Sequence, residues 1–457
     1  MRGMILYKDL FEQKGPILYL IYGLASLISP TYYWAVFGFE VLSLWSFLIL
    51  FDYFMRKQKM VVPYGLFIAA SVLLVLMPNF AQGGSAEEFA LPFIAYGLLS
   101  FQSLFLQKKN LSNLRTLFIN GISFAVVFLI KFNLSILWIP LFSIYFIWRF
   151  IQLKNYTVLK EVGISFLGFS LVWIPWIVYF VLNHALLDFF DNYFFINLFF
   201  YPNTMNYLEH IRFIKDQLID SLFNSGWFNL AFTVITSIGL FDLLVTKDTY
   251  VSLWYKVAVF FSGSLLIYGV YGGGRAYVYY YLGFYAFSLF GIRFLTMLSK
   301  LVTNTTMKRI LLISLAFLSI GSLILGNRFS RELFKPKERW VQYQYAQYIE
   351  SNSLEPTVLN YYCLDTGLMF FLDTIPNQRF FMHQNISLDR TTMIIDAQNE
   401  YLASKSVNYV IIMRLIGFDE TKLNIIPGLS KNYHQVFALH QNYEGKEFIY
   451  YLFEINN

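Results

Sequence analysis

Tyr7-Lys-Asp-Leu-Phe-Glu-Gln-Lys-Gly-Pro16 decides how this chain reads. The stretch holds two acids and two lysines, and about three hundred mostly apolar residues follow it. Composition identifies what those residues are. Hydrophobic residues make up 57% of the chain and charged residues 14%, against roughly 25% charged in a soluble domain. Aromatics reach 20%, which suits helices with many interfacial contacts. The chain is therefore an integral membrane protein, and a charged cluster pressed against a membrane calls for a functional reason.

The remaining bulk properties narrow the class. The net charge of +6 comes from lysine and arginine gathered in short loops, and it does not point to nucleic acid. The single cysteine, Cys363, excludes an intramolecular disulfide and a cysteine-based metal site. Five scattered histidines argue against a histidine-rich metal centre, so no metal and no cofactor is expected. Met1-Arg-Gly-Met4 runs straight into the polar cluster, unlike a cleavable signal peptide.

A span needs roughly 20 apolar residues. Ile17–Ser29 falls short and reads as an interfacial or re-entrant helix. Spans are expected over 32–54, 61–77, 89–107, 116–130, 134–151, 162–182, 227–245, 257–271, 277–298 and 310–325. Amphipathic surface helices are expected in the long loop 183–226. Basic loops at 56–59, 108–115, 149–160, 247–256 and 300–309 follow every second span. All five are cytoplasmic at once only if Ile17–Ser29 does not cross. That count gives about ten spans with both chain ends outside, and it implies a span-sized segment ahead of Met1. From Asn327 the composition becomes that of a soluble domain, with strands expected at 408–413 and 448–453 and helices at 339–351 and 389–406. The expected fold is mainly α: a polytopic membrane helical bundle over 1–326, then a small extracytoplasmic α/β domain over 327–457.

On this topology the unusual polar groups all face outward. They are Asp9, Glu12, Lys14, Glu87, Glu88, Lys131, Asn133 and Arg275, each at a span end or in a short loop. Lysine and arginine together suit a phosphate, Lys as a point charge and Arg as a fork. A neighbouring carboxylate suits a general base on an acceptor hydroxyl. The combination suggests displacement at a carbon whose leaving group is a phosphate. Asp9, Glu12, Glu87 and Glu88 are the candidate catalytic acids, although Asp9 also fits a helix cap, and Glu87 and Glu88 fit the start of a helix. Tyr279 and Tyr280, which also fit an aromatic belt, join Tyr7 and Asn133 as candidate substrate contacts.

Tyr7–Pro16 resembles the first outer loop of the GT-C membrane glycosyltransferases, in the branch of bacterial relatives of protein O-mannosyltransferases and the lipid A aminoarabinose transferase. Ser85-Ala-Glu-Glu-Phe-Ala-Leu-Pro92, Leu129-Ile-Lys-Phe-Asn133, and Arg275 with its tyrosines are similar to that branch in the same order. The resemblance implies transfer of a sugar from a polyprenyl-phosphate carrier to a glycan, lipid or protein acceptor at the outer face of the cell membrane. It implies that Lys14, Lys131 and Arg275 hold the carrier phosphate, and that Glu87 or Glu88 matches the acid of the second outer loop. Inversion at the anomeric carbon is expected, because a single displacement needs one base. Two departures stand out. The family begins with a span ending in an acidic catalytic position, and this sequence starts after it. A histidine often precedes the late tyrosine pair in the family, where this chain has Tyr279. A lipid-linked saccharide transporter, or an inactive GT-C-like binding protein, are the alternative readings.

Overall fold

The computed structural model describes residues 3–29, 34–57, 83–107, 113–153, 156–220, 227–247, 251–291, 306, 310, 313, 336–443 and 446–456. The expected spans 61–77 and 310–325 lie outside these, apart from two isolated positions in the second. The chain divides into two compact units. One comprises Lys14–Tyr179 and Thr204–Leu333; the other comprises Met1–Gln13, Phe180–Asn203 and Phe334–Asn457.

The first unit is helical. Its described helices are α1 (Pro16–Ile28), α2 (Trp34–Lys57), α3 (Ala86–Phe105), α4 (Leu114–Ile130), α5 (Phe132–Ser135), α6 (Trp138–Leu153), α7 (Thr157–Leu182, whose last residues pass into the second unit), α8 (Tyr207–Ile219), α9 (Trp227–Val245) and α10 (Leu253–Tyr271). Among the described residues, five helical stretches are long and apolar enough to cross a membrane: Ala35–Arg56, Ala86–Phe105, Phe132–Leu153, Thr157–Leu182 and Leu253–Tyr271. The 13-residue α1 is too short to do so. Helix α8 begins with a capping box, in which Asn206 accepts from the Glu209 amide at 2.9 Å.

Helix α3 is the hub of this unit. It is buried along nearly its whole length, with Ala90, Ile94, Ala95, Leu98, Phe101 and Leu104 in the main core beside Trp138, Tyr145, Tyr255 and Tyr285. Gly97 lets the Trp138 ring approach, since a Cβ there would lie 3.0 Å from it. Two polar pairs lie inside the core. Asn120 donates to Ser100 Oγ at 2.8 Å, and Arg149 binds Glu161 at 2.6 Å with both side chains fully buried. The span expected at 277–298 begins instead as a 3-10 helix over Val278–Phe287. In that conformation side chains at i and i+3 eclipse, which aligns Tyr281 with Phe284, their ring centroids 5.6 Å apart.

The second unit is built on a four-stranded sheet of order β1-β2-β4-β3, with β1 at Val358–Asn360, β2 at Tyr409–Leu415, β3 at Tyr433–Tyr443 and β4 at Lys446–Ile455. β1 runs parallel to β2, and the other pairs are antiparallel. Helices α11 (Val341–Asn352) and α12 (Met393–Ala403) occupy the two expected helical stretches. One core layer packs Val341, Tyr345 and Ile349 against Tyr409, Ile411 and Leu452; another packs Leu402 and Leu429 against Val410, Ile412 and Tyr451. The alternating burial of β2 residues between these two layers is the period-2 signature of a strand. Residues 191–200 form a π-helix within this unit.

Candidate functional site

Helix α3 starts at Ala86, ahead of the span beginning expected at Phe89, and this brings both acids into its first turn. The cause is a cap. Ser85 accepts from the Glu88 amide at 3.3 Å and donates to Glu88 Oε1 at 3.1 Å, while Gly84 N–H donates to Glu88 Oε2 at 3.1 Å. Successive helical side chains diverge by about 100°, so Glu87 points elsewhere. Its Oε1 meets Lys131 Nζ at 2.6 Å, and Glu87 is 1% exposed. The other oxygen, Oε2, is buried and accepts no hydrogen bond.

Lys131 sits between α4 and α5 in an extended conformation that interrupts the helix. Its ammonium lies 3.8 Å from the Tyr280 ring centroid and 5.9 Å from that of Tyr279, close enough for cation–π attraction. Gly15 N–H donates to the Ile130 carbonyl at 3.0 Å, so Lys14 and Lys131 flank one backbone hydrogen bond. Apolar contacts fix the same junction: Leu18 of α1, Ala86 and Phe89 of α3, and Ile130 of α4 form one cluster. Asn133 donates to the Gly269 carbonyl at 2.8 Å and leaves its own Oδ1 buried without a partner. Gly269 is required there, since a Cβ would stand 2.4 Å from the Asn133 carbonyl. Half-buried Arg275 follows a turn closed by Gly274 N–H to Tyr271 O at 3.0 Å, with Gly274 at φ +66. The structure thus gathers Lys14, Glu87, Lys131, Tyr279 and Tyr280 at one junction of helix ends, with Asn133 in the adjoining α5 and Arg275 after the turn that follows α10.

Tyr7, Asp9 and Glu12 belong to the other unit. Tyr7 is 0% exposed, with φ +70, its ring packed against Phe180, Phe189 and Tyr193. Burial holds its phenol well above the usual range. Asp9 caps its own turn, accepting from Ile5 N–H at 2.7 Å. Glu12 accepts from Gln384 Nε2 at 3.2 Å. Each of these three contacts is a packing or capping contact within the second unit.

Glu40 is a residue that sequence reading passed over. It lies in α2, is 7% exposed, and approaches the Gly83-Gly84 turn so closely that a Cβ at Gly83 would be 2.7 Å from its Oε1. Both glycines have positive φ, and Tyr22 donates to the Gly84 carbonyl at 2.8 Å. The available signal was an acid inside a largely apolar span, which has Asp52 near its far end.

The chain is similar to ArnT. It aligns with the crystal structure of ArnT from Cupriavidus metallidurans in the apo state, at 11% identity and TM-score 0.47, over 98% of this chain and 89% of that one. It aligns with the same protein bound to undecaprenyl phosphate at 11% identity and TM-score 0.45, over 97% and 89%. No family model and no curated protein matches the chain. At this identity and TM-score the likeness carries no functional weight, so function rests on the site's own chemistry.

Proposed function

We propose that the chain is a membrane glycosyltransferase that takes a sugar from a polyprenyl-phosphate carrier and passes it to an acceptor hydroxyl on a glycan, lipid or protein. The observation that carries this reading is the buried Glu87–Lys131 pair under the Tyr279 and Tyr280 rings, with Glu87 Oε2 left without a donor. A cation, a carboxylate with a spare lone pair and an aromatic wall are what displacement of a phosphate from a sugar requires. Lys14, Lys131 and Arg275 hold the carrier phosphate. The acceptor oxygen attacks the anomeric carbon as the bond from that carbon to the phosphate oxygen breaks. Glu87 Oε2 takes the acceptor proton, and the cations stabilise the departing phosphate. One displacement inverts the anomeric configuration. Asn133 Oδ1, buried and unsatisfied, is an acceptor for a sugar hydroxyl. In this reading the junction lies at the outer face of the cell membrane and the sheet domain is extracytoplasmic, as the placement of the basic loops requires.

The test is transfer of labelled sugar from the carrier lipid in membranes containing the protein. Lys14→Ala combined with Arg275→Ala is expected to lower transfer at least about a hundredfold, because charge-assisted contacts to phosphate are worth about 1.5–3 kcal/mol each. Undiminished transfer by that double variant refutes the assignment. Carrier-lipid flipping without sugar transfer by reconstituted protein favours a transporter instead.

A further inference from the structure

Far along the sequence from that junction, the sheet domain carries a second group of chemistry-bearing residues. Tyr362 comes just after β1 and Arg414 near the end of β2, so both stand at the carboxyl ends of the two parallel strands. Ligands of α/β sheets settle at such ends. Tyr362 adopts φ +47, a left-handed conformation that tyrosine rarely takes. The backbone is pinned there from two sides. Tyr362 N–H donates to the buried Gln398 Oε1 at 2.9 Å, and Arg414 Nη1 donates to the Tyr362 carbonyl at 3.2 Å. The outcome of holding this backbone is a ring that is 39% exposed. Strained residues persist where their surroundings over-determine them, and they cluster at ligand sites.

Arg414 is held without being neutralised. Its guanidinium carbon lies 5.3 Å from the Tyr362 ring centroid and 5.4 Å from that of Phe418. Nη1 serves the Met413 and Tyr362 carbonyls, and the half-buried side chain makes no other hydrogen bond among the described residues. Among the described residues no carboxylate pairs with it, and the nearby acids are turned to other partners. Asp365 accepts from Gly367 N–H, Asp419 from Thr421, and Glu420 from the Tyr451 hydroxyl. The His383 ring meets Tyr362 edge-on, with centroids 4.7 Å apart, and adds imidazole nitrogens to the same group. Ile416, two positions on from Arg414, is about half exposed.

We propose that Arg414, Tyr362 and His383 form a binding site for an oxyanion carried on a saccharide. The fork of Arg414 matches a carboxylate or phosphate. The exposed Tyr362 and Ile416 side chains offer the apolar surface that a sugar's C–H face needs, and His383 offers a hydrogen bond to a hydroxyl. A bare anion would use the fork alone and leave the exposed ring unused. The site stands on this cluster and is independent of the sugar-transfer reading.

The experiment titrates the full chain, held in zwitterionic nanodiscs, with an oligogalacturonate by calorimetry. A neutral maltooligosaccharide of equal length and inorganic phosphate serve as comparison probes. The acidic oligomer is expected to bind at least about tenfold more tightly than either. Arg414→Gln and Tyr362→Gly should each weaken it at least about tenfold. Glycine is at ease in the left-handed conformation, so Tyr362→Gly should melt no lower than the wild type while losing the ring. Equal binding of the neutral oligomer, equal binding of phosphate, or unaltered binding by both variants overturns the proposal. It is also overturned if phosphatidylglycerol in the nanodisc abolishes oligomer binding through Arg414, because a lipid headgroup is then the ligand.

Discussion

At the scale of single residues, Glu87 and Glu88 are adjacent acids with different employment. Both oxygens of Glu88 are engaged in the helix cap, whereas Glu87 keeps Oε2 open beside Lys131. Glu87→Gln is therefore expected to lower sugar transfer by about a hundredfold or more, the usual contribution of a general base. Glu88→Ala should cost about 1 kcal/mol of stability through the lost cap and change transfer far less. Transfer assays beside thermal melts of both variants separate the two roles. His383 gives a second expectation. Burial lowers its pKa, with the Arg414 charge acting in the same direction and a backbone hydrogen bond at Gln384 opposing it. The unfolded chain binds a proton near pH 6.5 where the folded domain does not, so the stability contributed by neutral His383 is present above that pH and is lost as pH falls below it. Protease resistance of the sheet domain should fall between pH 7.5 and 5, and His383→Gln should flatten that dependence. The sequence made the charged residues visible one by one. It did not reveal which carboxylate oxygen stays unpaired, because that depends on a cap and a lysine 44 positions away.

At the scale of elements, apolar length and charge made most helices legible, since α1, α7 and α9 end where the apolar runs end. The start of α3 was less legible, because it is set by the Ser85 cap, which hydropathy does not register. The segment expected from 277 does begin at Val278, but its 3-10 winding was not read. Close helix crossings were also hidden, since glycine in an apolar span reads as filler. Gly121 of α4 and Gly168 of α7 bring the two backbones together reciprocally. A Cβ at Gly121 would lie 2.0 Å from the Ser165 carbonyl, and one at Gly168 would lie 2.2 Å from the Phe118 carbonyl. Small residues at such crossings are how membrane helices approach. Gly121→Ala is expected to destabilise the solubilised protein by about 1–3 kcal/mol, the usual cost of overpacking. Gly163→Ala on the same α7 meets nothing within 4 Å and should be silent. Equal melting of the two variants in detergent would contradict the crossing.

At the scale of the molecule, the sequence divides at about residue 327, yet the compact units divide differently. Met1–Gln13 and Phe180–Asn203 group with the sheet domain through contacts of very long sequence separation. Asn192 donates to the Tyr7 carbonyl at 2.8 Å across 185 positions, and Phe11 N–H donates to Arg379 O. Such pairings leave no local pattern, and for that reason Tyr7, Asp9 and Glu12 read from the sequence as neighbours of Lys14, whereas the contacts described for them lie within the unit of the sheet domain. The charge pattern of the loops is a different kind of signal, because it is additive and survives ignorance of packing. Under the proposed reading, loop 149–160 lies in the cytoplasm and the sheet domain outside. The lone cysteine makes this testable without removing it. Cys363 is 8% exposed and burial pushes its thiol up to about 11, so it holds almost no thiolate at neutral pH and should stay silent toward maleimides. Leu354→Cys, at a fully exposed turn of the sheet domain, is expected to react with a membrane-impermeant maleimide in intact cells. Tyr156→Cys, exposed in the basic loop between α6 and α7, should react only after permeabilisation. The reverse labelling would invert the topology, place the sheet domain in the cytoplasm, and remove the outer-face assignment of the Glu87–Lys131 junction with it.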